Sequence, residues 1–193
     1  MGVSISDSII VVGAGARGLS VALHLSLRGY TNVSVFAKDD YIPSGDLTNV
    51  YRAAQDAGVQ FSLGKQVDQV AYVSTLTGKK SAGIRTRNGF YPSSLVIIEA
   101  GAGASDSSEI GQSHAPNSLA IPLSCYTNSN SNSLVKYVPQ TSSSVILLSA
   151  NSVQSSKLSL VGPLVLDLLQ ATQQTAVEVQ KVSQISPHPL SKL

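Results

Sequence analysis

The chain has 193 residues, which is enough for one domain with a substantial core and too few for two large domains. Its 13 basic and 11 acidic side chains leave a formal net charge of +2, and there is no basic run with interleaved aromatic residues, so nothing in the composition favours nucleic-acid binding. No run of about 18 apolar residues occurs, which argues against a membrane span. The single cysteine, Cys125, cannot form an intrachain disulfide or a cysteine cluster for a metal, and we predict no metal site.

The first 37 residues predict a strand, a helix and a second strand. An apolar run at residues 8–12 ends at Gly13, residues 16–27 carry apolar side chains at helical spacing, and residues 33–37 are rich in β-branched side chains. Such a unit of about 30 residues has the length that a parallel crossover requires.

The next segment predicts a helix followed by an antiparallel meander. Residues 47–57 form the predicted helix, which ends at Gly58, and residues 59–63 form a strand. Three more strands are predicted at residues 67–76, 82–87 and 90–98, separated by turns at Thr77-Gly78 and Asn88-Gly89. The fold class is therefore α/β, with a parallel sheet and an antiparallel β-meander.

The composition changes near residue 109. Lys136 is the single charged residue between positions 110 and 156, and residues 128–133 alternate asparagine with serine, which predicts a loop. We therefore divide the chain into a nucleotide-binding segment at residues 1–109, a Ser/Asn-rich segment of low charge at 110–160, and a helix with an exposed tail at 161–193. Within these, residues 145–148 have the length of a strand, and a helix is predicted over residues 163–182 with Pro163 in its first turn.

A glycine-rich motif joins the first strand to its helix. Gly13, Gly15 and Gly18 with Ala16 and Arg17 fit the pattern G-x-G-x-x-G in the strand–turn–helix context that gives the pattern meaning. The first glycine permits a tight turn, the second lets the backbone approach a pyrophosphate, and the third allows close helix–strand contact. The free N–H groups at the helix start then face the phosphate charge, so the motif predicts dinucleotide binding. The alternative is a glycine-rich turn that serves packing alone.

The end of the second strand departs from the usual pattern. An acid that binds the adenosine ribose is expected there, but the strand ends in Ala37, and Asp39 could replace the acid only if the loop bends back. Lys38 is a cation beside the missing acid and would suit a 2′-phosphate, which leaves NADP as an alternative cofactor. The chain contains no Tyr-x-x-x-Lys pair of the kind that small NADP reductases use.

Four segments carry a family resemblance. They are residues 11–20 (VVGAGARGLS), 45–50 (GDLTNV), 53–61 (AAQDAGVQF) and 95–102 (LVIIEAGA). Together they resemble the FAD-dependent amine oxidases of the D-amino acid oxidase superfamily, and the fungal fructosyl amino acid oxidase (amadoriase) and saccharopine oxidase branch in particular. The resemblance implies a Rossmann-like FAD-binding domain in which Val70 contacts the flavin, and in which the small residues Ala100 and Gly101 let the backbone approach FAD.

The resemblance also implies an activity and a location. Amine oxidases of this branch oxidise a C–N bond of a secondary amine, such as a fructosyl or N-alkyl amino acid, and form hydrogen peroxide. Members of the branch often end in a peroxisomal tripeptide, and Ser191-Lys192-Leu193 has that form, so we expect an import receptor as partner and the peroxisome, or otherwise the cytoplasm, as location.

The chain also departs from this family. It is much shorter, most of the substrate domain is missing after Val50, and Cys125 does not lie in the motif that attaches FAD covalently. No catalytic residue can be named on this basis. A non-catalytic, truncated nucleotide-binding protein is therefore the second hypothesis.

Overall fold

The computed structural model describes residues 2–42, 45–76, 78–99, 119–122, 135–148 and 158–183; of 119–122, 158–160 and 175–183 it describes the backbone alone. Several predicted features lie outside the described residues. They are the boundary at residue 109, the Asn/Ser repeat at 128–133, Cys125, the pair Ala100 and Gly101, and the C-terminal tripeptide.

Ten strands and three helices are assigned in these ranges. In chain order they are β1 (Ile9–Val12), α1 (Ala16–Leu27), β2 (Val33–Phe36), α2 (Asp46–Asp56), β3 (Gln60–Ser62), β4 (Val67–Thr75), β5 (Gly78–Thr86), β6 (Gly89–Pro92), β7 (Leu95–Glu99), β8 (Leu119–Pro122), β9 (Val135–Tyr137), β10 (Val145–Leu148) and α3 (Leu158–Ser183).

The first sheet has the order β3-β2-β1-β7-β10-β9. Its first five strands run parallel, and β9 pairs antiparallel with β10 at the edge. From β1 the chain proceeds outward through β2 to β3, and it returns on the other side of β1 through β7 and β10. This order is that of a Rossmann-type sheet, in which ligands bind beside the carboxyl ends of the strands where the order reverses. The predicted α/β fold with a parallel sheet is confirmed.

The second sheet is antiparallel and lies in the chain between β3 and β7. Its order is β6-β5-β4-β8, so the predicted meander is confirmed, with β5 beginning at Gly78 rather than residue 82. The single strand predicted over residues 90–98 is wrong. It is two strands in different sheets, because Pro92 has no N–H for a ladder and the Ser93 hydroxyl donates to the Leu95 carbonyl at 2.6 Å, which forms a corner.

Both faces of the first sheet are buried, so its strands are continuously apolar. Alternate residues of β1, β2, β7 and β10 pack against the helices, and the remaining ones pack against the second sheet. The helix-side core contains Ile9, Val11, Val21, Leu25, Val35, Ile97, Ile146, Val165 and Leu169, and the core between the sheets contains Ile10, Val12, Phe36, Val70, Ile84, Ile98 and Leu147.

Helix α3 packs against α1 and completes the helical layer. It begins at Leu158, so the prediction that Pro163 stands in its first turn is wrong. Proline removes one backbone hydrogen bond from a helix interior, but the neighbouring Val161 and Val165 are buried against the sheet. We infer that this burial keeps the helix continuous through the proline. None of the helices in the described ranges is long and apolar enough to cross a membrane.

Candidate functional site: the glycine loop and Glu99

The glycine loop begins directly after β1. Gly13 has φ +112°, a backbone conformation that L side chains rarely adopt, so the turn requires glycine there. The Gly13 N–H donates to the Phe36 carbonyl at 2.8 Å, which fastens the loop to the end of β2. Helix α1 then begins at Ala16 with Gly15 as its N-cap, and no side chain caps it from that position.

The other two glycines are required by space. A Cβ atom at Gly18 would overlap the Gly13 carbonyl oxygen, so the first turn of α1 lies directly against the loop. A Cβ at Gly15 would lie 2.6 Å from Glu99 Oε1. The loop therefore leaves no room for a side chain at position 15 or 18, and its backbone N–H groups stand open at these positions.

The carboxylate of Glu99 occupies the space in front of these N–H groups. Glu99 is the last residue of β7, and β7 lies beside β1 with Ile98 opposite Val12. Glu99 Oε2 accepts hydrogen bonds from Gly15 N–H at 3.0 Å and Gly18 N–H at 3.1 Å, and Oε1 accepts one from Arg17 N–H at 3.3 Å. Three donors from one helix turn thus converge on one anion, which is the arrangement by which helix N-termini bind phosphate.

Burial raises the pKa of the Glu99 carboxyl above its ordinary value. Desolvation is the largest effect, because it disfavours the charged form. The hydrogen bonds from Gly18, Arg17 and Gly15 and the charge of Arg17 act in the opposite direction and are smaller in sum. Binding in the loop therefore removes water from the charged carboxylate, and the hydrogen bonds of the loop offset this loss only in part.

The end of β2 places the other predicted site residues. Ala37 is buried, and its carbonyl accepts the Lys65 N–H at 2.8 Å. The side chains of Lys38 and Asp39 are exposed, and the Asp39 carbonyl accepts the Gly64 N–H at 2.9 Å. Lys65 Nζ donates to the Tyr91 hydroxyl at 3.2 Å, so a second cation stands near this strand end. That these residues contact a cofactor stays a prediction.

Val70 lies in the core between the two sheets and is not part of the glycine loop. It is fully buried between the sheets, where it pairs with Ile84 of β5 and Ile121 of β8. The structure accounts for it as a core residue, and a contact with a flavin stays a prediction. Ala100 and Gly101 follow Glu99 directly but lie outside the described residues.

Glu99 is the site residue that sequence reasoning missed. The resemblance of residues 95–102 to the family concerns the small residues after the strand, and it implies no role for Glu99. The signal is that Glu99 alone is charged in the strand LVIIE and stands at its carboxyl end. In a sheet with this strand order that end faces the glycine loop.

His24 and the cavity beside it lie away from the glycine loop, at the other end of α1. His24 Nδ1 bonds the Ser20 carbonyl at 2.7 Å within α1, and the ring packs against Gly162 of α3. A surface cavity of about 160 Å³ lies beside it, lined by His24, Leu27, Arg28, Pro163, Leu166 and Asp167, at the opposite end of α1 from the glycine loop. No cluster of three His, Cys, Asp or Glu side chains suited to a metal ion occurs among the residues searched, which are those described.

Solved structures of other proteins are similar to about half of this chain. No protein-family model matches the sequence, and no curated protein matches it. Among solved structures, fructosamine oxidase (Amadoriase II) from Aspergillus fumigatus is similar at 20% identity over 53% of this chain and 48% of that chain, with a TM-score of 0.41. Fructosyl amine:oxygen oxidoreductase (Amadoriase I) from the same organism is similar at 16% identity over 53% of this chain and 50% of that chain, with a TM-score of 0.40.

A third similar structure is THI4 from Thermovibrio ammonificans, at 16% identity over 52% of this chain and 60% of that chain, with a TM-score of 0.45. The amadoriases belong to the branch that the sequence resemblance named. The aligned part of the chain corresponds to about half the length of these amadoriases.

Proposed function

We propose that this chain is the FAD-binding part of an FAD-dependent oxidoreductase. The observation that carries the proposal is the convergence of the Gly15, Arg17 and Gly18 N–H groups on a single anion at the carboxyl end of β1. This anion site lies where the strand order of the parallel sheet reverses, the place at which such sheets bind dinucleotides.

The loop fits a pyrophosphate by two criteria. Its backbone already binds an anion, the Glu99 carboxylate, which stands in for a phosphate oxygen pair. The space in front of Gly15, which the Glu99 carboxylate now occupies, also exists because position 15 has no side chain. With Glu99 turned away, the same N–H groups would hold the pyrophosphate of FAD, whose flavin when bound supplies two-electron oxidation. The chain would contribute binding and orientation of the cofactor.

The finer proposal concerns the substrate. The segments that resemble the amadoriase branch support oxidation of a C–N bond in a secondary amine, with hydrogen peroxide as product. The described residues do not include a positioned catalytic acid or base, so we assign none. Peroxide release with fructosyl and N-methyl amino acids, measured on FAD-loaded protein, tests this step. Retained FAD without turnover would favour the non-catalytic hypothesis.

Gly15→Val tests the cofactor site. Gly15 has φ −75° and ψ −176°, which valine adopts without backbone strain, so the variant fills the space in front of the loop and displaces the Glu99 carboxylate from it. We expect FAD affinity to fall at least about tenfold, because the valine side chain keeps a phosphate oxygen away from at least one N–H group, and the loss of one charge-assisted hydrogen bond has about that effect. Quenching of flavin fluorescence on titration measures the affinity.

The control is Ala53→Val, which adds a valine on the exposed face of α2 and should leave FAD affinity unchanged. Far-UV circular dichroism on heating should show that both variants fold. Equal FAD affinity in Gly15→Val and wild type, or no FAD binding by wild type and by Glu99→Ala, which removes the carboxylate from the loop, would contradict the proposal.

NADP is the second candidate. Lys38 and Lys65 place two cations near the end of β2, and Ala37 replaces the acid expected beside an unphosphorylated ribose. Fluorescence titration with NADPH distinguishes the two cofactors. Tighter binding of NADPH than of NADH, lost in Lys38→Ala, would favour NADP over FAD.

A further inference from the structure

We propose that Glu99 is an internal occupant of the phosphate site, which a dinucleotide must displace in order to bind. The proposal rests on the proposed function for the identity of the dinucleotide, but its physical basis is the chain alone. It makes Glu99 a determinant of affinity that acts by competition.

Competition follows from the hydrogen bonds. Glu99 uses the N–H groups of Gly15, Arg17 and Gly18, which are donors of the first turn of α1 and its N-cap. A pyrophosphate bound at this helix start requires the same donors. Both anions cannot accept from one N–H with good geometry, and two adjacent negative charges repel in a partly buried site. Binding of one therefore excludes the other.

The strands next to the site offer the Glu99 carboxylate no second partner of opposite charge. The positive charge of Arg17 favours the ionised form of Glu99 in its present position. Strands β1, β2 and β10 carry no ionisable side chain, and β7 carries Glu99 alone. Glu99 itself is only partly buried at the end of its strand, so its flexible side chain can turn toward solvent. Displacement then requires rotation of one side chain and no change in the sheet.

The alternative role for Glu99 is that of a fixed N-terminal cap of α1, which holds the loop in shape. The two roles predict opposite effects on ligand affinity. If Glu99 competes, its removal strengthens phosphate binding. If it only shapes the loop, its removal leaves affinity unchanged or weakens it.

The experiment uses Glu99→Ala, which opens the site, and Glu99→Gln, which keeps the shape and removes the charge. Asp56→Asn, at the exposed C-terminal end of α2, is the charge-matched control. Two probes are titrated into the full chain: FAD, followed by flavin fluorescence, and inorganic pyrophosphate, followed by the NMR shifts of the Gly15 and Gly18 amides. Pyrophosphate tests the loop without the rest of a dinucleotide site.

We expect Glu99→Ala to bind both probes at least about tenfold more tightly than wild type, with a smaller gain in Glu99→Gln and none in Asp56→Asn. Because Glu99→Gln preserves shape, it keeps the test valid if Glu99→Ala fails to fold. Unchanged or weaker binding of both probes in the folded Glu99 variants would overturn the proposal.

The two proposals fail in different ways. A gain in pyrophosphate binding by Glu99→Ala, with no FAD binding by any variant, supports competition and contradicts the FAD function. Wild-type FAD binding that Gly15→Val weakens and Glu99→Ala does not strengthen supports the FAD function and refutes competition.

Discussion

At the residue scale, Glu99 makes the free energy of unfolding depend on pH. Burial raises its pKa in the folded protein, so the folded state binds the proton more tightly than the unfolded state does. Stability from this group is therefore present in full below the ordinary pKa of a glutamate, and it is lost as the pH rises through the folded pKa. We expect the difference in unfolding free energy, wild type minus Glu99→Gln, to decrease over this interval and to become constant above it, as measured by urea unfolding at a series of pH values.

Asp56→Asn is again the control, because its carboxylate is exposed at the end of α2. It removes one charge as Glu99→Gln does, so it accounts for general effects of net charge. A wild-type minus Glu99→Gln difference that does not change with pH, or that increases as the pH rises, would contradict the pKa direction.

The glycines of the loop could be predicted from the sequence, because each is required by local geometry within one strand–turn–helix unit. Gly13 needs a positive φ, and Gly18, five residues later, lies against the Gly13 carbonyl. Glu99 could not be assigned in the same way. Its position in the loop depends on β7 pairing with β1, a contact between residues more than eighty positions apart.

At the element scale, the contact between α1 and α3 depends on Gly162. A Cβ at this position would overlap the His24 ring, which the Ser20 carbonyl holds in place. Alanine in a helix interior is normally more stable than glycine by about 1 kcal/mol. Here we expect Gly162→Ala to destabilise, because overpacking costs about 1–3 kcal/mol. Urea unfolding of Gly162→Ala, His24→Ala and the double variant measures the coupling between the two positions.

The expected coupling is at least about 1 kcal/mol in favour of the double variant, since removal of the ring makes room for the new methyl group. Additive effects of the two substitutions would show that the helices do not meet at this point. A stabilising Gly162→Ala in the wild-type background would show the same.

Elements with a strong periodic pattern could be predicted from the sequence, and α1 agrees with the structure over residues 16–27. The wrong strand at residues 90–98 lies where the chain changes partners. Phe90, Tyr91 and residues 95–98 are β-favouring, but Pro92 and Ser93 between them form the corner at which the chain leaves one sheet for the other. Strands β8 and β9 were not predicted, because they are short and are defined by pairing with β4 and β10.

At the scale of the whole molecule, elements from both halves of the chain share one core. Strand β10 and helix α3 come from the C-terminal half, and they complete the sheet and the helical layer begun by β1 and α1. The composition indicated a change of character along the chain. It could not indicate that apolar segments on both sides of that change pack into one core, since composition is independent of sheet order.

The integrity of this shared core can be tested by shortening the chain. Helix α3 buries Val161, Val165, Leu166 and Leu169, and each fully buried aliphatic side chain contributes about 1.5–3 kcal/mol. Their sum, about 6–12 kcal/mol, is comparable to the total stability of a typical domain, about 5–15 kcal/mol. A chain of residues 1–157 should therefore lose its cooperative urea transition, monitored by far-UV circular dichroism, whereas a chain of residues 1–183 should retain it. If both chains unfold with the same midpoint, α3 contributes little to the core, and the nucleotide-binding segment folds without it.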